Sequence, residues 1–243
     1  MISCLIVNFN CLEHTKNLVK DLKKQNYKHY ELIIVDQNSV EPGTEAFLDQ
    51  MMAEGNVVIQ NGFNRPLNAI WNEFIKIAQG DVCSFLNNDI RIPSNFLSDT
   101  RQIFDIESDV SCVIHPTNHK DWTVAKKELS YVVLDEKTRQ GWDFTFRKSE
   151  WVDIPSVLDF YCGDDFIFEN LYRKNKKVAF ALSSPIIHLL SQTRYSSFNK
   201  IIPNRQPFKD IEEYKNLGYP HYLNLVDKYS KIHPEIKLIR EEL

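Results

Sequence analysis

Apolar positions in the first 90 residues alternate between short runs and helical stripes. Ile2–Asn8 is an apolar run ending in polar Asn8-Phe9-Asn10, which reads as a buried strand. Across Glu13–Gln25, Leu18, Val19 and Leu22 recur at helical spacing. Tyr30–Val35 is a second strand, closing on Asp36-Gln37-Asn38-Ser39. Thr44–Glu54 reads as a helix and Asn56–Gln60 as a short strand. Asn68–Ala78 carries an apolar stripe of Ala69, Ile70, Phe74, Ile77 and Ala78. Val82–Leu86, bounded by Gly80-Asp81, is the next strand and closes on Asn87-Asn88-Asp89. Strands and helices alternating in this way call for a parallel sheet with right-handed crossovers. Such a sheet collects its strand ends on one edge, where open α/β folds bind their ligands. Asn8, Asp36 and Asp89 are therefore expected to converge.

After Pro93 the pattern is less regular. Asn95–Ile106 reads as a helix, and Val110–His115, Glu128–Leu134 and Trp142–Phe146 as strands. Val157–Cys162 leads into Gly163-Asp164-Asp165, ahead of a helix over Phe166–Asn175. Lys177–Leu182 and Ile186–Leu190 are apolar again, Ser191–Pro207 reads as a loop or lid, and Glu212–Lys231 as helical. The fold class is α/β: a Rossmann-like, mostly parallel central sheet flanked by helices, with a C-terminal helical extension. The expected division is a main domain over 1–195, with a donor half (1–92) and an acceptor half (93–195), and a lid or helical extension over 196–243.

Composition narrows the class. Hydrophobic content of 43% and charged content of 26% are those of a soluble globular chain. No apolar run approaches the length of a membrane span. The N-terminus lacks a basic leader and a cleavage site, so it reads as a strand rather than a signal peptide. Five scattered cysteines, odd in number and without a C-x-x-C pair, read as reduced thiols of a cytoplasmic protein and argue against a zinc site. The net charge is −4, yet Leu171–Lys209 contains no Asp or Glu and carries eight Lys and Arg residues. A basic sector on an acidic chain points either to an anionic ligand or to a solvated face.

Four places can carry chemistry. Asp89 at a strand end can hold Mg2+ or Mn2+ against a phosphate, because hard oxygen ligands suit these ions. Asp36 at another strand end can accept hydrogen bonds from a ribose or base edge. Asp164 and Asp165 stand at a helix start, where the dipole keeps a carboxylate ionised and available as a base. His188 closes an apolar stretch and can ligate a metal. Each has a structural alternative: an Asx turn or N-cap for the carboxylates, a satisfied core residue for the histidine.

Taken in order, these motifs resemble the family 2 glycosyltransferases of the GT-A fold. Ile6-Val7-Asn8-Phe9-Asn10 is similar to the family's first strand and its terminal Asn. Leu32–Ser39 resembles its V-D-N-x-S nucleotide segment, and Asn72 with Ala78-Gln79-Gly80-Asp81 its Asn and A-x-G-D elements. Phe85-Leu86-Asn87-Asn88-Asp89 resembles the D-x-D element in an L-N-N-D form. Gly163-Asp164-Asp165 followed by Arg173 resembles the acidic motif, and His188 the late histidine. The resemblance spans roughly residues 2 to 195. Two positions depart from it: Asn87 replaces the first acid of D-x-D, and Asp164 replaces the usual Glu.

The resemblance implies sugar transfer from a nucleoside-diphosphate donor, UDP-linked for preference, to a hydroxyl acceptor with inversion. It implies a Mn2+ or Mg2+ cofactor held by Asp89 and His188. The nucleotide and donor set is Asn8, Asn10, Asp36, Arg65, Asn72, Asn87, Asn88 and Arg194. Asp165 is the first choice as base, with Asp164 as orienter or substitute. Trp142, Trp151 and Tyr195 are acceptor candidates. The acceptor is a saccharide or, given the basic sector, a modified base in DNA, whose binding would be salt-sensitive. A nucleotidyltransferase and an inactive binding module on the same fold are the alternatives; the first lacks a Gly-rich phosphate loop, and the second is opposed by joint retention of Asp89, Asp164, Asp165 and His188.

Overall fold

The structure, a computed structural model, describes residues 1–117, 128–134, 137–189 and 206–219. The first half runs β1 (Ile2–Asn8), α1 (Leu12–Lys23), β2 (Tyr30–Asp36), α2 (Thr44–Ala53), β3 (Val57–Gln60), α3 (Leu67–Ile77), β4 (Val82–Leu86), β5 (Ile90–Arg91) and α4 (Phe96–Ile106). The second runs β6 (Val110–Ile114), β7 (Tyr131–Leu134), β8 (Asp143–Arg147), α5 (Gly163–Arg173), β9 (Lys177–Ala181), β10 (Ile187–His188) and α6 (Gln206–Asn216). The main sheet has the order β3-β2-β1-β4-β8-β6-β9-β7.

β3, β2, β1 and β4 are parallel, as the alternation of elements requires. The register Asn8↔Asp36 aligns the polar ends of β1 and β2. β8 then enters antiparallel between β4 and β6, a reversal that no local pattern announces. Because it lies inside the sheet, its outward polar groups need partners, and Thr145 donates to Ser84 across the strands at 2.9 Å.

Alternation along the strands builds two apolar layers. Ile2, Cys4 and Ile6 of β1 pack with α1, α2 and α4, whereas Leu5 packs with α3, α5 and Tyr214 of α6. Burying a side chain of this size stabilises by about 1.5–3 kcal/mol, so both layers hold the sheet edge rigid. Tyr214 is fully buried, so the second layer extends to α6.

Two helices differ from the sequence reading. α5 begins at Gly163, so Asp164 and Asp165 lie in its first turn; Cys162 precedes it in the left-handed region with φ of 60°. α6 begins earlier than expected, with Pro207 near its start, and ends before Gly218, whose φ of 79° suits a helix stop. Of the expected Ser191–Pro207 loop or lid, Gln206 and Pro207 belong to α6, while 191–205 and the continuation from 220 lie outside the described residues.

The Ile186–Leu190 stretch yields only the two-residue β10. It pairs antiparallel with β5, setting His188 opposite Ile90. β5 is itself anchored: Arg91 forms a two-point ion pair with buried Asp21 of α1, at 2.6 and 2.8 Å. This small sheet is what brings His188 to Asp89.

Candidate functional site

The ends of β1, β2 and β4 are joined by a chain of buried polar groups. Asn8 Nδ2 donates to Asp36 Oδ1 at 2.7 Å, and Thr15 Oγ1 of α1 donates to Asn8 Oδ1 at 2.7 Å. Asn88 Nδ2 donates to Thr15 Oγ1 at 3.1 Å. Asp36 also caps its own turn, accepting from Ser39 N at 2.9 Å and Ser39 Oγ at 2.7 Å. Asn10, with φ of 51°, receives Val40 N on Oδ1 at 2.7 Å. The convergence expected from sequence is present, but Asn8, Asn10 and Asn88 are buried and shape the edge through protein partners. Thr15 and Gln37 were not singled out by sequence. Gln37 holds the 61–65 loop, accepting from Asn61 at 2.9 Å and donating to Arg65 O at 2.7 Å.

Three expected site residues are engaged elsewhere. Asn72 donates to Ile154 O at 2.9 Å and accepts from Ile154 N at 2.9 Å and from the Trp151 indole at 3.3 Å. Its amide staples the 151–154 turn to α3. Trp151 lies flat against Phe85, with ring centroids 4.9 Å apart, and edge-on to Phe146. Its ring thus packs onto the core. Arg65 is bound at two points by Glu73 of α3. Arg194 and Tyr195 lie outside the described residues.

Asp89 and His188 do meet. Both are nearly buried, and His188 Nε2 lies 3.4 Å from Asp89 Oδ1. Trp142 stacks on His188 at 5.1 Å, and its carbonyl accepts Asn87 N at 2.9 Å. The buried indole N–H of Trp142 has no hydrogen-bond partner among the described residues. Asn87 keeps its side chain exposed. No group of three or more potential metal ligands occurs among the described residues. A carboxylate and an imidazole nonetheless fit a divalent ion that takes its remaining ligands from phosphates and water.

The two acids of α5 have different surroundings. Asp165 is buried and paired with Arg139, Nη1 to Oδ1 at 2.5 Å, and Arg139 also reaches Glu169 at 3.4 Å. Asp164 is half-buried, and burial together with the Asp165 charge pushes its carboxyl up to about 7. Gly141 lies directly against it: a Cβ there would fall well under 3.0 Å from Asp164 Oδ2. Sequence preferred Asp165 as base; the structure engages its carboxylate with Arg139 and sets Asp164 beside Gly141.

The segment 139–143 links the two carboxylate centres. Arg139 holds Asp165, Gly141 abuts Asp164, Trp142 stacks on His188, and Asp143 accepts from His115 Nδ1 at 2.8 Å. The His115–Asp143 pair is fully buried; burial pushes the Asp143 carboxyl up while His115 opposes it. Sequence singled out only Trp142 here. The available signal was Gly141, an isolated glycine before a strand, which marks a close approach.

The basic sector is largely compensated where it is described. Lys174 and Lys176 pair with Glu150, Arg173 with Glu169, and Lys209 with Asp159. All five cysteines are buried free thiols. No helix among the described residues is long and apolar enough to cross a membrane.

Residues 3–170 match the sequence model of the family described as Glycosyl transferase family 2. The chain belongs to this family. The fold is shared with Staphylococcus aureus TarS 1–349, at a TM-score of 0.59 and 18% identity over 74% of this chain and 60% of that one. TarS 1–349 in complex with UDP-GlcNAc superposes at 0.58, with 17% identity over 74% and 58%. GalNAc-T7 with UDP, GalNAc and Mn2+ gives 0.65, with 15% identity over 77% and 43%. This family 2 chain thus spans about three fifths of TarS 1–349 and less of GalNAc-T7. No curated protein matches it significantly in sequence. The GT-A fold is the one expected.

Proposed function

We propose that the chain transfers a sugar from a UDP-sugar to a saccharide hydroxyl with inversion, using Asp164 as the base. The observation that carries this reading is the contrast between the two acids: Asp165 is ion-paired with Arg139, whereas Asp164 lies against Gly141 with its carboxyl pushed up by burial and by the Asp165 charge. A base works best when its pKa lies near the working pH.

In this mechanism the acceptor oxygen attacks the anomeric carbon, its proton passes to Asp164, and the bond to the diphosphate breaks on the opposite face. Asp89 and His188 would hold a divalent ion, which supplies positive charge against the departing diphosphate. Structures of fold relatives with UDP, UDP-GlcNAc and Mn2+ support a donor of this class. Asp36, seated on the Asn8–Thr15–Asn88 chain, faces the ribose and base in this reading, and exposed Asn87 the phosphates. The uncommitted indole N–H of Trp142 is the polar group available to an acceptor or donor sugar. A saccharide is favoured over DNA because four of the five described cations of the basic sector, all but Lys177, have acidic partners.

The test is UDP release from UDP-sugars with Mn2+ by wild type, Asp164→Asn and Asp165→Asn. Loss in the first variant with partial retention in the second supports the assignment. Full turnover by Asp164→Asn sinks it.

A further inference from the structure

The loop that delivers Asp164 is held from outside the region matched to the family. Asp210 of α6 is fully buried, and its carboxylate accepts three consecutive backbone N–H groups: Asp159 at 3.2 Å, Phe160 at 2.9 Å and Tyr161 at 2.8 Å. Successive amides aimed at one point form a nest for an anion, and the anion here is part of the chain. The cation next to it in sequence, Lys209, pairs with Asp159, so the amides do the compensating.

The opposite side of the same loop is held by α3. Asn68 Nδ2 donates to Leu158 O at 3.1 Å and Tyr161 O at 3.2 Å, and Asn68 N donates to Asp159 O at 3.0 Å. The loop's carbonyls thus go to α3 and its amides to α6. Directly after it, Cys162 takes a positive φ of 60°, a conformation that is strained for a non-glycine residue. Such a turn persists only where the residues around it are over-determined. One helical turn beyond Asp210, on the same face of α6, the Tyr214 hydroxyl lies 3.5 Å from Arg139 Nη1, the group that holds Asp165. α6 therefore touches the supports of both acids.

We propose that Asp210 is a positioning residue: through the 159–161 amides it sets the turn at Cys162 and so the place of Asp164 at the head of α5. Position 210 lies 40 residues past the matched span, which ends at 170, so the C-terminal segment is a working part of the catalytic centre. The inference rests on the assignment of Asp164 as base.

Two variants of the full chain test it, Asp210→Asn and Asp210→Ala. Asn keeps the size and one acceptor oxygen while losing the second, so it guards against simple unfolding by Ala. Three readouts are taken: UDP binding with Mn2+, kcat and KM for UDP release, and amide exchange over 158–165. The expected result in Asp210→Asn is UDP affinity within about threefold of wild type, kcat down about 100-fold, and an unchanged donor KM. Amides 159–161 should exchange at least about tenfold faster. Unchanged kcat, or unchanged exchange at 159–161, overturns the proposal. A wild type that binds UDP-sugar but never turns over sinks the base assignment instead, and the exchange readout then decides the role of Asp210 alone.

Discussion

Gly141 and Asp164 occupy the same small space: the backbone of one lies where any side chain would strike the carboxylate of the other. The struck atom is Oδ2, the free end of a side chain, so the clash is relieved by moving the carboxylate rather than the fold. Gly141→Ala is therefore expected to lower kcat about 100-fold while costing less than about 1 kcal/mol of stability. Gly163 provides the contrast, since its Cβ would strike Asn68, whose amide is pinned by hydrogen bonds to Leu158 and Tyr161. Gly163→Ala should lower the melting temperature clearly. Paired melting curves and turnover rates distinguish the two, and equal loss of stability in both would refute the account of Gly141.

Asp164 works against folding at neutral pH. Its carboxyl is raised to about 7 by burial and by Asp165, so the folded chain holds that proton more tightly than the unfolded chain. Stability from this group is full below about pH 4 and is lost as pH rises toward 7. Asp164→Asn, neutral throughout, should melt higher than wild type at pH 8 by the equivalent of about 1–3 kcal/mol, after discounting for partial exposure and the paired charge. The gain should vanish below about pH 4. In wild type, turnover should climb through the same pH range, because the base acts only when deprotonated. A variant less stable than wild type at pH 8 would contradict this.

Asp89→Ala and His188→Ala each remove half of the pair that meets across β5 and β10. Mn2+ should raise the melting temperature of wild type in the presence of UDP, and this rise should be absent in Asp89→Ala and reduced in His188→Ala. Calorimetry of UDP binding with and without Mn2+ checks it. A full Mn2+ effect in Asp89→Ala would remove the metal from this position.

Asn72→Ala should cost about 1–3 kcal/mol, because it strands the Ile154 amide and the Trp151 indole N–H. UDP affinity should stay within about twofold, as expected of a staple remote from the ligand. A selective loss of UDP binding at unchanged stability would return Asn72 to the donor site.

The parallel half of the fold was legible because each of β1, β2 and β4 is a local apolar run closing on polar residues. A reader of periodicity needs nothing more. β8 was legible as a strand but not as an antiparallel wedge between β4 and β6, since strand direction is set by packing far along the chain. Asp89, His188 and Asp164 were singled out from residue type and order. Their supports were not: Arg139 meets Asp165 across 26 residues, Thr15 meets Asn88 across 73, and Asp210 meets Tyr161 across 49. Such pairings have no local signature. The guanidinium of Arg139, which pairs with Asp165, likewise stands in another segment. The packing roles of Asn72 and Trp151 were not legible either, because an amide or indole looks alike in sequence whether it binds a ligand or a neighbouring turn.

The five buried thiols have a practical consequence. Burial pushes Cys4, Cys83, Cys112 and Cys162 upward, so they hold their protons where alkylating reagents need a thiolate. The native chain is thus chemically quiet toward maleimides. A single cysteine placed at exposed Phe63, on the loop that Gln37 holds, can carry a fluorophore without first stripping the natural ones. Nucleotide capture could then be watched directly, in real time, on an otherwise unaltered protein.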